Sequence, residues 1–217
     1  MTFRRYSPAP LTGLVNSVST LTRYLLRELQ KIASLMDIDD LWEDNTAELA
    51  TGNTGAGAPT LTNLNGGPYK AYVFAVGDAV NVSFHVKHDV SRNKPFYPHV
   101  HWTTDGTNAG TVTWRLHYQI AAGHQQEAFP TASTVDITQT YDNTLGAWTH
   151  MIGEVSDNAA IAMPQVDSLI LMTCELEAAT GFGTPADDIF GLYIDLHYQK
   201  DREGTRYKSP DFYGLEE

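Results

Sequence analysis

The sequence predicts a mainly β protein, an antiparallel jelly-roll-like β-sandwich preceded by one N-terminal α-helix. Three observations predict this class. Within residues 69–200, apolar side chains recur at every second position in one short run after another, the pattern of strands with one buried face. No helix-period segment of useful length separates those runs. Helical spacing is confined to residues 11–37, ahead of them.

Residues 1–10 read as a short arm with Arg4, Arg5 and two prolines. Residues 11–37 carry apolar side chains at Leu11, Val15, Val18, Leu25, Leu29, Ile32 and Met36. With Thr22 included, their spacing is 4, 3, 4, 3, 4, 3, 4, a heptad seam. Leu14, Leu21, Leu26 and Leu35 widen the stripe, which suits three or more helices or a helix in a partner's groove. Residues 1–37 are therefore expected to be an arm and an oligomerising or anchoring helix, with a homotrimer favoured. Residues 38–68 pass from the acidic IDDLWEDN to TGNTGAGAPTLTNLNGG and read as a linker.

Residues 69–200 form the sandwich domain. Val80, Val82, Phe84 and Val86 alternate with polar residues, as do Val112, Trp114, Leu116, Tyr118 and Ile120, and Leu192, Ile194, Leu196 and Tyr198. Further strands are expected at 69–76, 97–103, 133–140, 147–155 and 166–177, about eight in all. Eight mostly antiparallel strands make two packed sheets, with the jelly roll favoured. Residues 201–217 read as a polar, acidic tail.

Composition limits the function. The net charge of −12 over 217 residues argues against a nucleic-acid surface, which needs clustered Lys and Arg. No run approaches a membrane span of ~20 apolar residues, and no signal peptide is evident, so folding in a cytosol is expected. Cys174 lies in the apolar run Leu169–Leu176 and is expected to be buried and inert.

The histidines are the first candidates for chemistry. His99 and His101, in PHVHW, share one face of a strand. His85, His117 and His197 also fall on the non-core phase of their strands. With Arg115 and Asp195 they are expected to form a hydrogen-bonded polar face, an interface or an ion site. A His-x-His strand resembles the cupin metal motif, which implies a metal-dependent protein. Asp105 stands where that motif has Glu, and no second motif follows, so no catalytic metal and no cofactor are expected.

Hydrolase signatures are absent. There is no G-x-S-x-G, and the carboxylates at Glu175, Glu177, Asp187, Asp188 and Asp195 carry no evident pairing. Asp187 and Asp188 read as a turn after Pro185. GFGTPA at 181–186 imitates a dinucleotide fingerprint but lacks the helix that would follow. Tyr97, Trp102, Tyr141, Trp148 and Tyr193 are candidates for stacking on a sugar. Trp102 is the one expected in the core, and Tyr141 the one expected to be free.

RYLLRELQKIASLMD resembles the short N-terminal docking helices of tailed-bacteriophage virion proteins. YPHVHW and LYIDLHYQKDREGTR resemble the P-H-[VI]-H-W and D-[IL]-H-Y-Q segments of phage structural proteins with a β-sandwich domain. The resemblance implies a non-enzymatic virion component of the tail-fibre, collar-spike or head-decoration type. It also implies a homotrimer docked on capsid, portal or tail adaptor. A glycan- or receptor-binding module of such a fibre is the alternative.

Overall fold

The computed structural model describes residues 21–29, 41–49, 57–91, 93–184, 186–200, 204–205 and 207–209. The chain divides into two units, Met1–Asp40 and Leu41–Glu217. In the first, residues 21–29 form helix α1. Leu25 and Leu29 of the heptad seam lie on it, 52% and 60% exposed, with Leu21, Tyr24 and Leu26 exposed to a similar degree. Leu11, Val15, Val18, Ile32 and Met36 lie outside the described residues.

The second unit is a β-sandwich, with ten strands among the described residues. They are β1 (Leu41–Glu48), β2 (Thr60–Asn63), β3 (Lys70–Phe74), β4 (Ala79–His85), β5 (Tyr97–Thr104), β6 (Gly110–Ala122), β7 (Ser133–Tyr141), β8 (Met151–Glu154), β9 (Ser168–Gly181) and β10 (Ile189–Lys200). One sheet runs β2-β3-β10-β5-β8, with β1 also pairing to β10; the other runs β4-β9-β6-β7. Every pairing is antiparallel. From β3 onward the chain visits the sheets so that they read β3-β10-β5-β8 and β4-β9-β6-β7. This is the double Greek-key order of a jelly roll, and it establishes the predicted fold class from the hydrogen-bonded ladders themselves.

The expected alternation decides which faces meet. Val80, Val82, Phe84, Val112, Trp114 and Leu116 of one sheet are at most 6% exposed, as are Val100, Trp102, Ile194, Leu196 and Tyr198 of the other. These apolar faces form the core between the sheets. Leu192 is the exception on β10, being only half-buried, because the β10–β5 register shifts between Gly191 and Tyr193.

Two expectations need correcting. The stretch 38–68, read as a linker, contains strands β1 and β2 and a 3-10 turn at Leu64–Gly66. LWEDNTAE has little strand propensity. It is extended because eight of its residues pair in register with Leu41↔Lys200 at one end and Glu48↔Tyr193 at the other, completing an otherwise open stretch of β10. Tyr141 is fully buried, not free, and its hydroxyl donates to the Gly146 carbonyl at 2.6 Å. GFGT at 181–184 is a turn with Gly181, Phe182 and Gly183 all at positive φ, and the Phe182 ring packs in the core.

Candidate functional site

The polar face expected from the sequence is divided by the fold into three separate groups. His85 ends β4 and lies 3.4 Å from Asp167, which also meets His88 at 2.9 Å and His124 at 3.0 Å. His117 and Arg115 sit on the outer face of the β4-β9-β6-β7 sheet. There His117 contacts Glu175 at 3.1 Å. Arg115 donates two hydrogen bonds to Asp136 and lies 2.6 Å from Glu177. The Arg115 guanidinium holds the Asp136 carboxyl below the usual carboxylate range. His85 and His117 therefore do not join the others, since β4 and β6 belong to the opposite sheet.

The third group is a site. On the outer face of the six-stranded sheet, Asp195 pairs directly with His99, and His99 with Glu154, so β10, β5 and β8 place them in one cross-strand row. His101 is two residues along β5 and reaches back diagonally. Its Nε2 lies 3.0 Å from Asp195 Oδ2, while His99 Nδ1 lies 3.3 Å from Asp195 Oδ1. His99, His101 and Asp195 are 7%, 4% and 3% exposed. The opposite ring nitrogens are engaged as well, His99 Nε2 with Glu154 Oε1 at 3.4 Å and His101 Nδ1 with His150 Nε2 at 2.8 Å. Tyr193 stacks on His101 with ring centroids 3.9 Å apart.

Burial acts on His99 and His150. It pushes the His99 pKa below its ordinary value, with Asp195 and Glu154 opposing, and it lowers His150, with His101 adding to the effect. A histidine whose folded pKa is depressed binds its proton more readily in the unfolded chain. Stability from these two residues is thus present above the unfolded value of ~6.5 and is lost as pH falls from there through the folded pKa. In chelator-treated protein the urea midpoint is expected to fall between pH 7.5 and pH 5.5, and to fall less in His99→Asn. Equal slopes in the two proteins would remove His99 as a source of the effect.

Beside this group lies a cleft of about 270 Å³ lined by Trp42, Tyr97, His99, Glu154, Val155, Asp157 and His197. Trp42 stands at its edge, 47% exposed. Its ring meets Tyr97 edge-on at 5.6 Å and His197 at 4.6 Å, and His197 meets His99 at 4.9 Å. Asp44 lies 3.7 Å from His197. A larger concavity of about 570 Å³ is lined by Asn81, Ser83, His117 and Gln119 of the other sheet together with Thr46 and Ala47 of β1. No Trp, Tyr or Phe is among its described lining residues.

The other candidates from the sequence have structural partners. Trp102 is in the core, as expected, and Trp148 packs against Phe190. Glu175 and Glu177 serve the His117 and Arg115 contacts. Asp187 accepts hydrogen bonds from the Asn108 backbone and side chain, and the Asp188 amide donates to Asp105. Cys174 is buried, and burial raises its thiol pKa far above the ordinary value. Sequence reasoning missed Trp42, His150 and Glu154. The lone Trp in an acidic run was the one available signal for Trp42.

No protein-family model matches the chain, and no curated protein matches it. Among solved structures, it is similar to the CBM36-1 domain of a multidomain xylanase from the hindgut metagenome of Trinervitermes trinervoides. That match has a TM-score of 0.40 at 10% identity and covers 71% of this chain and 96% of that one. A carbohydrate-binding module CBM36 in complex with calcium and xylotriose gives 0.38 at 12% identity, over 71% and 98% of the two chains. A non-crystalline cellulose specific module, CBM28, gives 0.31 at 13%, over 71% and 85%.

Proposed function

We propose that this protein is a non-catalytic recognition module that binds a carbohydrate in the cleft beside Trp42 and Tyr97. The observation that carries this reading is the exposed Trp42 ring set against Tyr97 and His197, with Glu154 and Asp157 in the same cleft. A pyranose presents an apolar face of C–H groups and a rim of hydroxyls. An aromatic ring accepts the first, and carboxylates accept hydrogen bonds from the second. A concave site with apolar walls and a few placed polar groups is the general form of a small-ligand site.

A glycan array probed with the full-length chain tests the reading. Binding to at least one oligosaccharide class is expected, and Trp42→Ala is expected to weaken it about tenfold or more, the equivalent of ~1.4 kcal/mol. Trp42 is outside the core, so this variant keeps its fold. An array without binding, or a variant that binds as well as the parent, overturns the reading.

A second role is favoured by α1. Its exposed Leu21, Leu25, Leu26 and Leu29 suit packing against copies of the same helix, and the heptad seam around them suits a homotrimer. We infer that α1 assembles the protein and anchors it on a larger particle, a virion of the tailed-phage kind, where capsid, portal or tail adaptor would be the docking partner.

A further inference from the structure

We propose that His99 Nδ1, His101 Nε2 and Asp195 form a binding site for one divalent transition-metal ion of the zinc class. This stands whether or not the neighbouring cleft takes a sugar.

Four observations carry it. One ligand atom from each residue lies within 4.8 Å of the others, and all three residues are buried. Two imidazole nitrogens and one carboxylate are a donor set suited to zinc and its neighbours and poorly suited to calcium or magnesium, which take oxygen ligands.

Asp195 Oδ1 is buried and accepts no hydrogen bond, although His99 Nδ1 is 3.3 Å away. A carboxylate oxygen withdrawn from water without a donor is costly, and a cation beside it removes that cost.

The outer nitrogen of His101 is held as that of a metal-ligating histidine is, since its Nδ1–H can donate to His150 Nε2 at 2.8 Å, and His99 Nε2 faces the Glu154 carboxylate at 3.4 Å. Moving the single His101 proton from Nε2 to Nδ1 frees Nε2 for the metal, and His150 then accepts where it otherwise donates.

The ligands also sit on paired strands rather than loops, so the register of β5 against β10 holds their spacing. Three protein ligands leave a fourth zinc position, which water fills. The bound ion ties β5 to β10 under the floor of the cleft, where His99 is shared by both.

The test uses tag-free, full-length protein stripped with chelator, then titrated with zinc against a chromophoric competitor and separately with cobalt(II). One equivalent is expected to bind with a Kd of about 1 µM or tighter. The cobalt complex is expected to show the visible bands of a four-coordinate site. Saturating zinc is expected to raise the melting temperature by about 5 °C. Asp195→Asn keeps the shape of the site and removes the charge, and is expected to bind at least about 100-fold more weakly. His150→Gln alters only the outer partner and is expected to lose about 10–100-fold. It decides the matter if Asp195→Asn does not fold. Asp167→Asn, in the separate His85, His88 and His124 group, is expected to leave the tight site unchanged. The proposal is overturned if no stoichiometric binding is seen, if the first two variants bind as the parent does, or if Asp167→Asn abolishes it.

Discussion

Replacing Trp102 by alanine is expected to destabilise the fold by about 3–5 kcal/mol, the range for emptying a buried aromatic site. Trp102 is fully buried on the core face of β5, one residue beyond His101 on the outer face. Its ring tilts against Tyr141 at 6.1 Å and meets Phe182 edge-on at 6.5 Å, so the cavity would open between both sheets. Its Nε1–H donates to Gln139 Oε1 at 2.7 Å, and the truncation also leaves that oxygen without its donor. Against a typical total of about 5–15 kcal/mol, this is a large share. Urea unfolding followed by far-ultraviolet circular dichroism measures it.

A paired control separates the hydrogen bond from the cavity. Trp114 is as deeply buried and meets Phe74 edge-on at 5.1 Å, yet its Nε1 has no hydrogen-bond partner. Trp114→Phe removes ring volume together with an unpaired donor, whereas Trp102→Phe removes ring volume together with a made bond. Trp102→Phe is therefore expected to be the more destabilising of the two. The reverse order would show that cavity shape, not the Gln139 bond, governs these sites.

The second large effect is expected in α1. Substituting Leu25→Asp and Leu29→Asp together is expected to reduce the assembly to the 24.0 kDa of one chain. Both side chains are more than half exposed, so the change costs the isolated chain little. In a helical seam, the same two positions would bury unpaired carboxylates in every copy, each costing several kcal/mol. Light scattering after size exclusion reads the result. A trimer that survives the double substitution places the interface on the sandwich instead and removes self-association from α1.

Much of the fold was legible because strand alternation is a local property. The period of two in Val80–Val86 and Val112–Ile120 needs no partner to reveal which side chains share a face. Each of the eight strands expected between residues 69 and 200 has its counterpart in β3 to β10. β1 was not legible, because LWEDNTAE is held extended by the ladder it makes with β10 and not by its own pattern. The freedom expected of Tyr141 failed for a similar reason. It ends β7 in a turn-rich stretch, but the turn folds inward and the Gly146 carbonyl accepts a hydrogen bond from its hydroxyl.

The candidate site shows the same division. By itself the sequence determined the sandwich class and the shared face of His99 and His101. It also determined that Asp195 and His197 share a face of their own strand. These follow from periodicity, which any single strand carries. Only the tertiary structure decided that Asp195 lies opposite His99, that Glu154 and His150 support the two histidines from outside, and that Trp42 edges the cleft. It alone sent His85 and His117 to the other sheet. The physical reason is that a strand's facing is encoded within its own few residues. Its neighbour is chosen by backbone ladders and core packing between segments as far apart as β5 and β10, and no short pattern records that choice.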